Sequence, residues 1–129
     1  MFRVEDRERV REVVVEKARR DPRVVAAAAV GSSASGGDRW SDLDLTFGVA
    51  DGVPVEAVLA DWTRAVVDQF EAAVLFDLPV GSTIYRVFLL PGALQVDLSF
   101  GPAAEFGARG PRFRLLFGEA VEKPWAAPP

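Results

Sequence analysis

Residues 42–49 alternate between polar and apolar side chains, and this pattern constrains the fold more than any other feature of the chain. A period of two residues is typical of a β-strand with one buried face, so the apolar residues of the segment lie on one side. Asp42 and Asp44 share the other side, with backbones about 7 Å apart. The segment therefore predicts a strand that presents two carboxylates on one polar face.

The other elements follow from periodicity and from turn residues. Helical spacing of apolar residues predicts helices over residues 3–20 and from Pro54, placed at the first helical position, to about residue 70. Residues 24–30 favour a buried strand, although their four alanines also allow a helix. Further strands are predicted at 73–78, 83–90, 94–100 and, as an edge strand, 112–117. The turn at 91–93 makes residues 83–100 an antiparallel hairpin, and the element order predicts an α/β (α+β) fold, a mixed sheet with helices packed against it.

Length and composition limit the class of protein. A chain of 129 residues with half of them apolar predicts one globular domain over residues 1–129, with a frayed tail at 124–129. The net charge of −4 disfavours nucleic acid as a partner. Cysteine and histidine are absent, which excludes disulfides, thiolate zinc sites, cysteine nucleophiles and Ser-His triads. Any chemistry must use carboxylates, hydroxyls, Lys, Arg, backbone amides or an oxygen-bound cation.

The N-terminal segment carries charges throughout and has no apolar core of signal-peptide length. No stretch approaches the length of a membrane span, so no membrane partner is expected. A cytoplasmic location is the resulting expectation.

A third carboxylate lies on the predicted strand 94–100, where Asp97 shares one face with Gln95 and Ser99. If this strand neighbours residues 42–49, then Asp42, Asp44 and Asp97 converge on one patch of the sheet. Their mutual repulsion would be relieved by a divalent cation, and aspartate oxygens without His or Cys favour Mg²⁺ or Mn²⁺. By itself, an Asp-x-Asp pair such as Asp42 and Asp44 is more often a capping or surface feature than a metal site.

The segment 31–36, with the sequence GSSASG, follows a predicted buried strand and suits phosphate oxygens through its amides and hydroxyls. Residues 24–100 contain, in this order, a predicted strand, a Gly-Ser loop, the Asp-x-Asp of Asp42 and Asp44, and the later Asp97. This arrangement resembles the nucleotidyltransferase superfamily, which has a DNA polymerase beta-like fold and includes aminoglycoside nucleotidyltransferases and minimal antitoxin-type enzymes.

The resemblance implies an enzyme of the nucleotidyltransferase class that binds ATP or another NTP with magnesium. Asp42, Asp44 and Asp97 would be the catalytic residues and metal ligands. Asp97 would also help to deprotonate the acceptor hydroxyl. The resemblance further implies nucleotide binding by three residues of the loop, which are Gly31, Ser32 and Ser41.

Two departures from the family pattern leave alternatives open. Serines stand where relatives often carry an arginine in the loop, so phosphate charge would be balanced by Arg39, Arg86 or the metals. No helical acceptor domain follows, so the chain is either a minimal enzyme or a fragment, and exposed apolar surface would then let it form a homodimer. The acceptor is expected to be an aminoglycoside-like small molecule or a HEPN-type protein. The alternative is a non-catalytic domain of this fold that binds a partner.

Overall fold

A computed structural model describes residues 1–30, 42–107 and 113–121 of the chain. Within these residues, two helices, α1 (Val4–Arg20) and α2 (Val55–Phe70), pack against a six-stranded sheet. In chain order the strands are β1 (Val24–Val30), β2 (Leu43–Val49), β3 (Ala73–Val80), β4 (Thr83–Leu90), β5 (Leu94–Pro102) and β6 (Phe113–Phe117). A short 3₁₀ turn, Ala103–Glu105, follows β5. The predicted α/β class, a mixed sheet with packed helices, is confirmed.

The sheet has the order β3-β4-β5-β2-β1-β6. Among the strands that the structure describes, only β2 and β5 run parallel to each other, and the other neighbouring pairs are antiparallel. The predicted hairpin of β4 and β5 and the edge position of β6 are confirmed. Residues 24–30 form a strand rather than a helix: β1 is paired on both sides, and its alanines alternate between the core beneath the helices and the opposite face.

The helix boundaries follow from their terminal residues. Asp6 accepts the backbone N–H of Arg3, which satisfies one donor before the first turn of α1. Pro54 precedes the first helical residue of α2 by one position, so its predicted place inside the first turn is wrong by one residue. Glu71 ends α2 in the left-handed conformation that commonly terminates helices. Among the described residues, neither helix has the length and apolar composition to cross a bilayer.

The main core lies between the helices and one face of the sheet. The aromatic rings of Phe47, Trp62 and Phe100 meet there with centroids 5.0–5.2 Å apart. We call the opposite surface of the sheet the distal face. On it, Phe106 packs against Ala26 and Ala28, and its side chain lies so near Gly48 that a Cβ there would stand 3.2 Å away. The functional residues predicted on β2 and β5 occupy the neighbouring part of this distal face.

Candidate active site on the distal face

Two predicted site residues stand directly opposite each other on neighbouring strands. In the parallel pairing of β2 with β5, Asp44 is the register partner of Asp97. Paired residues on adjacent strands point to the same face across a strand spacing of about 4.8 Å, so the two carboxylates project together from the distal face. β2 and β5 are therefore neighbours, which the predicted convergence of Asp44 and Asp97 required.

Asp44 is half-buried, and its surroundings oppose ionisation. Burial, followed by the negative charge of Asp97, raises the pKa of Asp44 to about 7. Removing a carboxylate from water penalises its charged form, and a like charge nearby adds to that penalty. At neutral pH the pair therefore holds a proton or favours a cation that would take the proton's place.

Asp42 lies just before β2 and is attached to the start of β5. Its Oδ2 accepts the backbone N–H of Gln95 at 2.9 Å, and its own N–H donates to the Gln95 carbonyl at 3.0 Å. The Gln95 side chain in turn donates from Nε2 to Asp97 Oδ1 at 3.2 Å. Gln95 thus links two of the predicted site residues. The sequence placed Gln95 on the correct face but contained no signal for this role.

Within residues 1–30, 42–107 and 113–121, no group of three or more acidic side chains is close enough together to hold a metal ion. The structure brings Asp44 and Asp97 together as a pair, while one oxygen of Asp42 is directed to the backbone of β5. The predicted nucleotide-binding residues Gly31, Ser32 and Ser41 lie outside the described residues, as does Arg39. Their assignments stay predictions.

Ser99 lies two positions beyond Asp97 on the same face and is opposite Thr46 of β2 and Tyr85 of β4. It is fully buried, and its hydroxyl makes no hydrogen bond with any residue that the structure describes. A buried polar atom without a partner is rare in native proteins. The alternation of β5 placed Ser99 on the polar face, but no sequence signal reported its burial.

Arg86, one of the candidates for balancing phosphate charge, points away from this site. It is paired with Leu98 in the β4–β5 register, which places it on the helix side of the sheet. There its guanidinium donates to Asp77 through Nε and Nη2, both at 2.6 Å, and to the Thr63 hydroxyl at 2.9 Å. Arg86 therefore does not face the carboxylates, because neighbouring residues of a strand point to opposite faces.

No protein-family model matches this sequence, and no curated protein matches it either. What the chain does is therefore inferred from its own residues. Asp44 and Asp97 meet on one face of the sheet, near the buried hydroxyl of Ser99, and the pKa of Asp44 is raised to about 7. In the sequence, the Asp-x-Asp follows the Gly/Ser-rich segment 31–41 directly. Such an arrangement can bind a hard cation through oxygen atoms or accept a proton near neutral pH.

Proposed function

We propose that this chain is a nucleotidyltransferase-like domain that moves an NMP, with AMP as the first candidate, from an NTP to a hydroxyl. The acceptor would be a small molecule or a protein. The observation that carries the proposal is the pairing of Asp44 with Asp97 across β2 and β5. A purely structural role gives no reason for two carboxylates to face each other where burial raises the pKa of one of them to about 7.

The fold supports the same proposal. The family pattern requires an Asp-x-Asp strand and a third acidic residue on a later strand, and the pattern is chemically useful only if those strands are neighbours. Here β2 and β5 are adjacent and in register, although β3 and β4 lie between them in the sequence. The adjacency of β2 and β5, which strand alternation alone does not determine, therefore agrees with the family pattern.

The oxygen donors fit a hard divalent cation, because the set contains only carboxylates and the pair carries surplus negative charge. Asp44 and Asp97 would hold Mg²⁺ or Mn²⁺, and Asp42 would join them if its side chain turned from the Gln95 N–H towards the pair. When bound, the ion would neutralise phosphate charge and favour a nucleophilic acceptor oxygen. In the transfer itself, the acceptor oxygen bonds to the α-phosphorus while the bond to pyrophosphate breaks. The acceptor proton passes to Asp97, and Gln95 holds the Asp97 carboxylate in position.

A second candidate function is a non-catalytic domain of this fold that binds a partner. The specific observation in its favour is that one oxygen of Asp42 is already bound to the backbone N–H of Gln95. If that bond persists with nucleotide present, Asp42 has one oxygen fewer for a cation. The two functions differ in whether Mg²⁺ and ATP bind together.

Calorimetric titration of the purified chain with ATP, with and without Mg²⁺, tests the proposal. Binding should require Mg²⁺ and should be lost in Asp44→Asn, because the substitution removes one charge of the pair. Asp68→Asn is the matched control, since it removes the same charge from an exposed position of α2 and should bind ATP normally. Absence of Mg²⁺-dependent binding in the unsubstituted chain would contradict the proposal and favour the partner-binding domain.

A further inference from the structure

The edge strand β3 is exposed along its whole length. All eight of its residues are exposed, including five large apolar side chains with 43–57% of their surface accessible, namely Val74, Leu75, Phe76, Leu78 and Val80. Scattered apolar residues on a protein surface are ordinary, but a contiguous group of this kind marks an interaction surface. No other strand of the described chain has such continuous exposure.

Three of these side chains lie on the distal face. Phe76, Leu78 and Val80 are paired with Val87, Tyr85 and Thr83 of β4, and those residues of β4 share their face with Asp97 and Ser99 of β5. Leu89, paired with Gln95, adds a further exposed apolar side chain on the same face. We call Phe76, Leu78, Val80 and Leu89 the β3–β4 apolar surface.

The β3–β4 apolar surface carries no charge of its own. The one ionisable residue of β3, Asp77, points to the helix side, where Arg86 binds both of its carboxylate oxygens. This matters for the choice of partner, because a two-fold axis brings each surface against its own copy. An unbalanced charge there would repel its copy, whereas uncharged apolar side chains are complementary to themselves.

The free edge of β3 disfavours the addition of an extended peptide. Its register with β4 is irregular between Val74 and Phe76, and Pro79 has no N–H to donate to a further strand. Bulges and prolines are the devices by which natural edge strands avoid such pairing. Contact through side chains is the remaining way to cover this strand, and three of its five exposed large apolar side chains lie on the distal face.

We propose that the β3–β4 apolar surface binds a second copy of this chain, with the two apolar surfaces packed around a two-fold axis beside the edge strand β3, away from Asp44 and Asp97. Stable dimers bury about 800 Å² per partner, and four side chains from two strands provide less than this. The dimer should therefore be weak, with a dissociation constant on the order of micromolar. The dimer does not require the nucleotidyltransferase function, because β3 lies at the edge of the sheet and β4 separates it from Asp97 of β5.

Sedimentation equilibrium over a range of protein concentrations tests the dimer. Leu78→Asp should weaken association by about 100-fold or more, because each dimer would bury two charges in an apolar contact. Leu115→Asp is the matched control, an exposed leucine on the opposite edge strand β6, and it should leave association unchanged. Circular dichroism would verify that both variants fold.

The dependence of association on salt concentration distinguishes a second copy of this chain from a partner that is attracted by charge. Each chain carries a net charge of −4, so raising the salt from about 50 to about 500 mM should strengthen self-association by screening repulsion. A complex with a basic protein would weaken over the same range. A monomer at every concentration up to about 0.5 mM, or a dimer that Leu78→Asp leaves intact, would overturn the proposal.

Discussion

Asp21 and Asp44 are both carboxylates largely withdrawn from water, and their surroundings are opposite. Asp21, whose side chain is 8% exposed, accepts three hydrogen bonds from Arg23, through its backbone N–H, Nε and Nη2, and one from Trp62 Nε1, all at 2.9–3.0 Å. The bonds from Arg23 lower the pKa of Asp21 to about 2. Burial and the neighbouring Asp97 instead raise that of Asp44 to about 7.

The difference separates a structural carboxylate from a candidate functional one. Asp21 joins the end of α1 to the start of β1 and to α2, so its negative charge stabilises the fold at neutral pH. The charge of Asp44 costs folding free energy until a proton or a cation offsets it. Proteins retain such costs mainly at sites that bind or react, which is why the second region and not the first is the candidate site.

The largest effect is expected at Asp21. Asp21→Ala should lower the free energy of unfolding by about 3 kcal/mol, because it strips Arg23 and Trp62 of their shared acceptor. Since the pKa of Asp21 is depressed, its contribution is complete above about pH 4 and is lost as the pH falls towards 2. Urea unfolding at pH 7 measures the change. Asp61→Ala, which removes a more exposed partner of Arg23, should cost less, and equal losses would show that the Asp21 network is not special.

Asp44 should behave in the opposite way. Asp44→Asn should stabilise the chain by roughly 2 kcal/mol at pH 8 in EDTA, because the folded protein no longer holds a carboxylate whose pKa is raised. The folded state binds more protons than the unfolded state between about pH 4 and 7, so stability falls as the pH rises through that range. The gain should therefore shrink as the pH is lowered from 8 towards 4.

Thermal unfolding of Asp42→Asn under the same conditions is the control for that prediction. An asparagine oxygen can still accept the Gln95 N–H, so little change is expected. A destabilised Asp44→Asn would mean that the carboxylate is a structural group like that of Asp21, and the contrast between the two regions would fail.

A smaller contrast involves two hydroxyls. Ser99→Ala should raise the free energy of unfolding by about 1 kcal/mol, since it removes a buried hydroxyl that has no partner among the described residues. Thr63→Ala should lower it by about the same amount, because Thr63 Oγ1 donates to the Leu59 carbonyl and accepts from Arg86. Urea unfolding of both variants measures the difference. Destabilisation by Ser99→Ala would show that its hydroxyl is satisfied like that of Thr63.

The amino-acid sequence by itself determined the elements and their faces. Periods of two and of about 3.6 residues located the helices and strands to within one residue, except that β3 and β5 each extend two residues further, to Val80 and Pro102. Alternation also placed Asp44 and Asp97 on polar faces. These features depend on neighbours in the sequence, which is why local patterns contain them.

Only the tertiary structure decided which strands are neighbours. The parallel pairing that sets Asp44 against Asp97 joins strands separated by α2, β3 and β4. The bond from Trp62 to Asp21, the burial of Ser99 and the exposure of β3 have the same origin. Each depends on contacts between distant parts of the chain, and local periodicity contains no information about those contacts.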